Sequence, residues 1–284
     1  GVATFSEAQT ATNMGVGDKV TYNTTSVAYI SGKVSTTQWR VITALGASAP
    51  DVTGATVNSI AHTFASLAAA VEYVSTGIRS ADYLNTSELV IGNYIVNVPC
   101  YYDSGPDATK VNLNGFGTGV NNYVKIYTPN NILTECNLSQ RHAGKWDSNK
   151  YNLSLASSGV FFEINDHYVQ VDGLQVDNML NGGSSASSAI YVNNIGCILS
   201  NNIIRKTNAN SDSLSYGLAF YLGGTAYNNI IYGYKINLVA GPTTSGLTFV
   251  FYNNTLYDAQ IYNIVTSDSY TATTYYYYKN NIAQ

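Results

Sequence analysis

Five short pairs of turn residues recur through the second half of this 284-residue chain, and the interval between them restricts its fold more than any other feature. They stand in DGLQV from residue 172, NNIIR from 201, NNIIY from 228, NNTLY from 253 and NNIAQ from 280. Their second members, Gly173, Asn202, Asn229, Asn254 and Asn281, are 29, 27, 25 and 27 residues apart. A series of β-hairpins turns every ~8–12 residues and has no reason to repeat one dipeptide at a longer interval, whereas one coil of a parallel β-helix needs about this length. Asn and Gly tolerate a left-handed backbone, and Asn side chains stacked at equivalent corners can hydrogen-bond along the stack. The five residues are therefore expected to form a column of structural corners. Coincidence is the competing reading in an Asn-rich chain, but the apolar flanks align as well as the pairs do.

The stretch YVQVDGLQVDN, residues 168–178, shows the unit at its clearest, with Val169 and Val171 facing inward before the corner and Leu174 and Val176 after it. The residues directly after each pair, Leu174, Ile203, Ile230, Thr255 and Ile282, are expected to form an inward ladder, with Thr255 its weak member. Further strands read as AIYV (189–192), GLAFYL (217–222) and LTFVFY (247–252). Upstream, VFFEI (160–164), NYVKIYT (122–128), KVNLNG (110–115) and ELVIGNYIVNV (88–98) are also strand-like. RHAGKWDSNKYNL (141–153) interrupts them as an inserted loop, which Trp146 can pack against the coils.

One amphipathic helix is predicted over 62–77, with Phe64, Leu67, Val71 and Val74 on one face, Thr63 as its cap and Gly77 at its end. Laid across the first coil, it would close the open edge that a stack of parallel strands leaves. Residues 1–58 carry KVTYN (19–23), VAYISG (27–32) and QWRVITA (38–44) and are expected as a separate small β segment, with helix and solenoid occupying 59–284.

From about residue 60 onward the chain resembles the right-handed parallel β-helix proteins of the pectate-lyase-like superfamily. The leading helix, the corner series and the YVQVDGLQVDN unit carry the likeness. That group includes secreted polysaccharide lyases and hydrolases, bacterial surface proteins and phage tailspikes, so the resemblance implies an all-β right-handed solenoid and leaves the chemistry open. Its lyases bind calcium through clustered Asp residues, with a basic residue as proton acceptor; their IDH segment and Pro-containing Arg motif do not occur here. The nearest fragment, NDHYVQVD, spaces Asp166 and His167 too far along one strand from Asp172 for joint action.

Hydrolysis would require two carboxylates on adjacent rungs, about one coil apart in sequence. Glu135 and Glu163 differ by 28 residues, as do Asp107 and Glu135, a coincidence that seventeen acidic residues make unsurprising. Arg141, His142, Lys145, Asp147 and Lys150 could contact an acidic sugar, although a loop held by its own ion pairs is the simpler reading. No nucleotide or metallohydrolase motif occurs, and no cofactor or metal is expected.

Composition then limits the partners. Only 11% of residues are charged, the net charge is −4 and thirteen Lys and Arg are spread thinly, which argues against nucleic acid or an anionic membrane surface. No apolar run is long enough to span a bilayer. The chain opens at Gly1 with no export-signal pattern, so localisation rests on composition, and a surface wetted by hydroxyls and amides fits an extracellular, cell-surface or virion setting. Cys100, Cys136 and Cys197 lack metal spacing and permit at most one disulfide; sequons at Asn23, Asn85, Asn137, Asn152 and Asn253 are no more than such a composition supplies by chance. Twenty-five tyrosines, including Tyr275, Tyr276, Tyr277 and Tyr278 in one strand, suit assembly into a filament, surface layer or virion appendage. A polysaccharide-binding or polysaccharide-degrading β-helix of tailspike type, lyase or glycoside hydrolase, using outward aromatics is the alternative.

Overall fold

A computed structural model describes residues 1–71, 86–180, 187–208, 214–267 and 274–284. The chain is all-β with little helix, and most of it winds into a parallel β-solenoid of about six turns. The first sheet stacks Val111–Leu113, Val160–Ile164, Ser187–Val192, Ser215–Phe220, Ile236–Ala240 and Tyr262–Thr266. The second stacks Val96–Pro99, Val124–Tyr127, Gln170–Asp172, Ile198–Ser200, Gly224–Tyr227, Thr248–Tyr252 and Tyr275–Lys279. The third stacks Asn152–Leu155, Gln175–Asn178, Ile203–Lys206, Ile230–Tyr232, Thr255–Tyr257 and Ile282–Ala283. Each turn visits the three sheets in that order before stepping up one rung.

The two-residue period of each strand selects the core. Val111, Phe162, Ile190, Leu218, Leu238 and Ile264 lie in register along the first sheet. Ile126, Val171, Leu199, Ala226 and Phe251 do so along the second, and Val176, Ile204, Ile231 and Leu256 along the third. All belong to or pack against one apolar cluster, and each large member buried there contributes about 1.5–3 kcal/mol relative to exposure.

The register corrects two expectations. Gln175 pairs with Ile203, so Gly173 aligns with Asn201 and Leu174 with Asn202. Gly173 therefore belongs with the first Asn of each later pair, one position before the column of Asn202, Asn229, Asn254 and Asn281. The expected inward ladder is displaced in the same way: Ile203, Ile230, Thr255 and Ile282 align with Gln175. That row faces outward, since Gln175 bonds a loop lying on the outside, and the inward row is the next one, beginning at Val176.

Two local expectations also change. The helix begins at Leu67, not Thr63, because His62 Nδ1 lies 2.6 Å from Asp18 Oδ1 and Thr63 Oγ1 donates to the Gly17 carbonyl at 2.7 Å. Ser66 Oγ accepts from Ala69 N at 3.1 Å, and Asp107 Oδ2 accepts from Leu67 N at 2.7 Å, so these two satisfy the exposed amides of the first turn. The helix spans Leu67–Val71 and buries Leu67, Ala70 and Val71; the rest of the expected segment, with Val74 and Gly77, lies outside the described residues. The run 88–98 divides into a helical turn Leu89–Gly92 and the strand Val96–Pro99, separated by Asn93 in a left-handed conformation at φ 53°.

Val2–Thr4, Lys19–Tyr22, Ser26–Lys33, Gln38–Ile42 and Val57–Ala61 form a five-stranded antiparallel sheet with its own cluster around Trp39, Ile30, Val20 and Met14. Residues 128–151, between the second and third sheets of one turn, join this sheet to the solenoid. Gly15 bridges Cys136, Val16 N donates to Glu135 O at 2.8 Å and Lys33 N to Thr134 O at 2.7 Å. This segment is called the strap below.

Candidate functional site

Each corner divides two tasks between its two residues. The first takes the left-handed bend: φ is 80° at Gly173, 56° at Asn201, Asn228 and Asn253, and 53° at Asn280. The second builds a buried amide ladder. Asn202 donates its backbone N–H and Nδ2 to Asn229 Oδ1 at 3.0 and 2.9 Å, Asn229 does the same to Asn254 Oδ1 at 3.0 Å, and Asn254 to Asn281 Oδ1 at 3.0 Å. Each Nδ2 also donates to a carbonyl, of Val171, Leu199, Ala226 and Phe251 in turn. Leu174 N starts the row by donating to Asn202 Oδ1 at 2.9 Å. The oxygens of Asn229, Asn254 and Asn281 thus each take two donors from the rung below, and the satisfied amides of Asn202, Asn229 and Asn254 sit at 0–1% exposure in the interior.

The charged run 141–150 is a clamp on the coils, not a loop held by its own ion pairs. Arg141 pairs with Asp172 on the second sheet, across Gly173. A Cβ at Gly173 would lie 2.3 Å from Arg141 Nε and 2.6 Å from Thr128 Oγ1, so the corner beneath the strap requires glycine where exposed corners carry Asn. Burial works against the charge of Asp172, but the Asn201 amide, the Arg141 guanidinium and the Ser200 hydroxyl hold its carboxyl below the usual range. His142 Nε2 donates to the Asn201 carbonyl at 2.7 Å, and its Nδ1 accepts from Gly144 N at 3.2 Å. Burial, with help from Arg141, lowers the His142 pKa despite the Asn201 carbonyl and Asp172, which raise it. Trp146 stacks under the Arg205 guanidinium, 3.5 Å from the ring centroid, and Arg205 Nε donates to Asp177 at 2.8 Å. Trp146 thus packs the loop to the coils, as the sequence suggested.

The candidate carboxylates do not meet. Glu163 lies on the first sheet with Asn112 and Tyr191 as its rung neighbours, whereas Glu135 sits in the strap and accepts from Asn130 N and Asn131 N, each at 2.9 Å. Asp107 is engaged by Leu67 N, Thr109 and Tyr151. Asp166 clips the amides of Gly115 and Phe116, away from Asp172. The three cysteines are free and buried; burial first of all pushes the Cys136 thiol up to about 11 and Cys197 to about 12.

Sequence reasoning missed a cleft of about 1000 Å³ between the N-terminal sheet and the first turns. On its wall His62 stacks on Tyr101 at 4.9 Å and pairs with Asp18, which is 2% exposed. Burial opposes the His62 charge, but the hydrogen bond and field of Asp18, with Asp103, raise its pKa. Forty-four residues separate His62 from Asp18, and no local pattern connects them.

The last turn differs from those below it. Tyr276 stacks on Phe249 at 5.3 Å and Tyr278 packs on Phe251 at 5.6 Å, continuing the core column. Tyr275 and Tyr277 on the second sheet face outward at 49% and 56% exposure, and on the same turn Tyr262 of the first sheet is 59% and Ile282 of the third 56% exposed. Among described residues from 152 to 257, Ile195 is the one large apolar side chain exposed to a similar degree. Elsewhere tyrosines pair face to face, Tyr227 with Tyr252 at 4.9 Å, Tyr232 with Tyr257 at 4.6 Å and Tyr191 with Tyr221 at 4.8 Å. No protein-family profile, curated protein or solved structure matches the chain. The functional reading therefore rests on this geometry.

Proposed function

We propose that this chain is a non-catalytic extracellular structural protein, a β-helix subunit that self-associates through its tyrosine-rich last turn. The observation that carries the reading is the exposure of Tyr262, Tyr275, Tyr277 and Tyr278 on the last turn, above residues 152–257, among whose described members Ile195 is the one exposed large apolar side chain. Tyrosine supplies broad contact area with a polar tip, and Lys279 is the single charge in 274–284, so copies approach there with little repulsion. Right-handed winding follows from the strong preference of crossovers between parallel strands. The helix Leu67–Val71, packed on Val111–Leu113, would close the opposite end.

A glycan-binding or glycan-cleaving β-helix is less well supported. The paired tyrosines use their ring faces on each other, and Glu135 and Glu163 lie on different elements. Light scattering over a concentration series, run beside a reducing-sugar and unsaturated-uronate assay on a polysaccharide panel, tests the proposal. Concentration-dependent assembly, lost in Tyr277→Lys and without turnover, is expected. Turnover abolished by Glu163→Gln or Glu135→Gln would replace the structural reading with the enzymatic one.

A further inference from the structure

The base of the solenoid carries an exposed apolar patch of its own. Leu89 is fully buried and anchors the helical turn Leu89–Gly92, so the residues that follow it, Val90 and Ile91, are turned outward at 51% and 84% exposure. The next rung lies against this turn. Leu89 N and Val90 N both donate to the Gly117 carbonyl, at 3.0 and 3.2 Å, and Val90 Cγ2 packs on Gly119. Val120, one residue further, is 70% exposed, so three aliphatic side chains from two adjoining segments face solvent together. Glu88 is the single charge in 86–102, and 111–124 carries none. Among the described residues the exposed Glu88 carboxylate has no ion-pair partner.

We propose that the last turn of one copy docks on the Val90, Ile91 and Val120 patch of the next, so that the chain polymerises head to tail. This rests on the self-association proposed above and supplies the surface that receives Tyr277. The patch leads into Val96–Pro99 and Val124–Tyr127, the first two strands of the second sheet, and Tyr275–Lys279 is the last strand of that sheet. The two surfaces thus stand at opposite ends of one sheet, with Glu88 at one and Lys279 at the other, a complementary pair in otherwise uncharged surroundings. Two last turns facing each other would instead bring together two Lys279 side chains with no acid to meet them. The exposed aliphatic pair on the strap, Ile132 and Leu133, lies against the Lys33 ammonium, which donates to the Ile132 carbonyl at 3.0 Å and would oppose Lys279 with like charge. Strand pairing does not make the joint, because Gly17 packs directly on Pro99 at the lower edge of the sheet. A contact between unlike surfaces at opposite ends does not close on itself, and it builds a filament of one polarity.

Sedimentation velocity on two variants and their mixture tests the polarity. Ile91→Lys and Tyr277→Lys each put a cation into one surface, at side chains exposed enough to leave the fold intact. The unaltered chain is expected to lengthen with concentration and each variant to stay monomeric. An equimolar mixture of the two should form one-to-one heterodimers and nothing longer, since it retains a single productive pair of surfaces. Glu88→Lys should weaken assembly about tenfold, and Lys279→Glu added to the same chain should restore it. Assembly of Ile91→Lys like the unaltered chain, a mixture that stays monomeric, or a double variant no better than Glu88→Lys alone would each overturn head-to-tail docking and leave self-association standing. An unaltered chain that is monomeric at every concentration would remove both.

Discussion

Asn229 and Asn281 occupy the same corner position with the same ladder geometry, yet one has a rung on both sides and the other only on the side of lower residue number. Asn229 is fully buried; it accepts two bonds from Asn202 and gives two to Asn254 and one to Leu199. Asn281 accepts the same two from Asn254, but among the described residues its Nδ2 donates only to Phe251 and no rung follows. The first sheet repeats the contrast with Leu218, at 0% exposure between Ile190 and Leu238, and Ile264 on the last rung. A residue in a solenoid is thus worth what its neighbouring rungs make of it, and identical side chains should weaken toward the end of the stack.

Mutations at matched positions probe this contrast. Asn229→Ala strands two donors of Asn202 in the dry interior and should cost ~4 kcal/mol in urea unfolding, whereas Asn281→Ala frees the same two donors of Asn254 at a half-buried last rung where water can replace the lost oxygen, and should cost ~1 kcal/mol or less; equal losses would break the comparison. Leu218→Ala should cost ~3 kcal/mol in the same measurement and Ile264→Ala about half as much. A third pair concerns the corners. Gly173→Ala, at φ 80° beneath Arg141, should lose ~2 kcal/mol, while Asn253→Gly, at φ 56° on an exposed corner, should change stability by only a few tenths.

The smallest effects are those of pH, and they have opposite signs in two regions. The folded pKa of His142 lies below the ordinary histidine value of 6.5, so its contribution is complete above that value and is lost as pH falls through the folded pKa. The folded pKa of His62 lies above 6.5, so its contribution is complete below that value and is lost as pH rises through the folded pKa. Urea midpoints followed against pH should therefore lose their acid-side decline in His142→Gln and their alkaline-side decline in His62→Gln.

The solenoid was legible because its corners repeat a residue whose side chain bonds its own copy one turn away. Spacing alone displaced the first member by one, since DG and NN are both pairs of turn residues. Only the backbone shows that the left-handed task falls on the first residue and the ladder on the second, with Leu174 occupying the ladder position in the earliest of these turns. Upstream the period is hidden by the strap, which inserts residues 128–151 between two strands of one turn. The tyrosines of the last rung could be read as two-faced from alternation. The His62–Asp18 pair, the strap's grip on the coils and the late start of the helix depend on contacts between distant segments and leave no local pattern.

Hydrogen exchange of the Asn corner amides tests the stacked ladder most directly, at a concentration where the chain is monomeric. The backbone N–H groups of Asn202, Asn229 and Asn254 each donate to the oxygen of the next Asn and should exchange with the slow, global opening of the turns. The Asn281 N–H, beyond which the described chain places no further rung, should exchange orders of magnitude faster. Four amides exchanging at one common rate, or protection that rises toward Asn281, would contradict a ladder stabilised rung by rung.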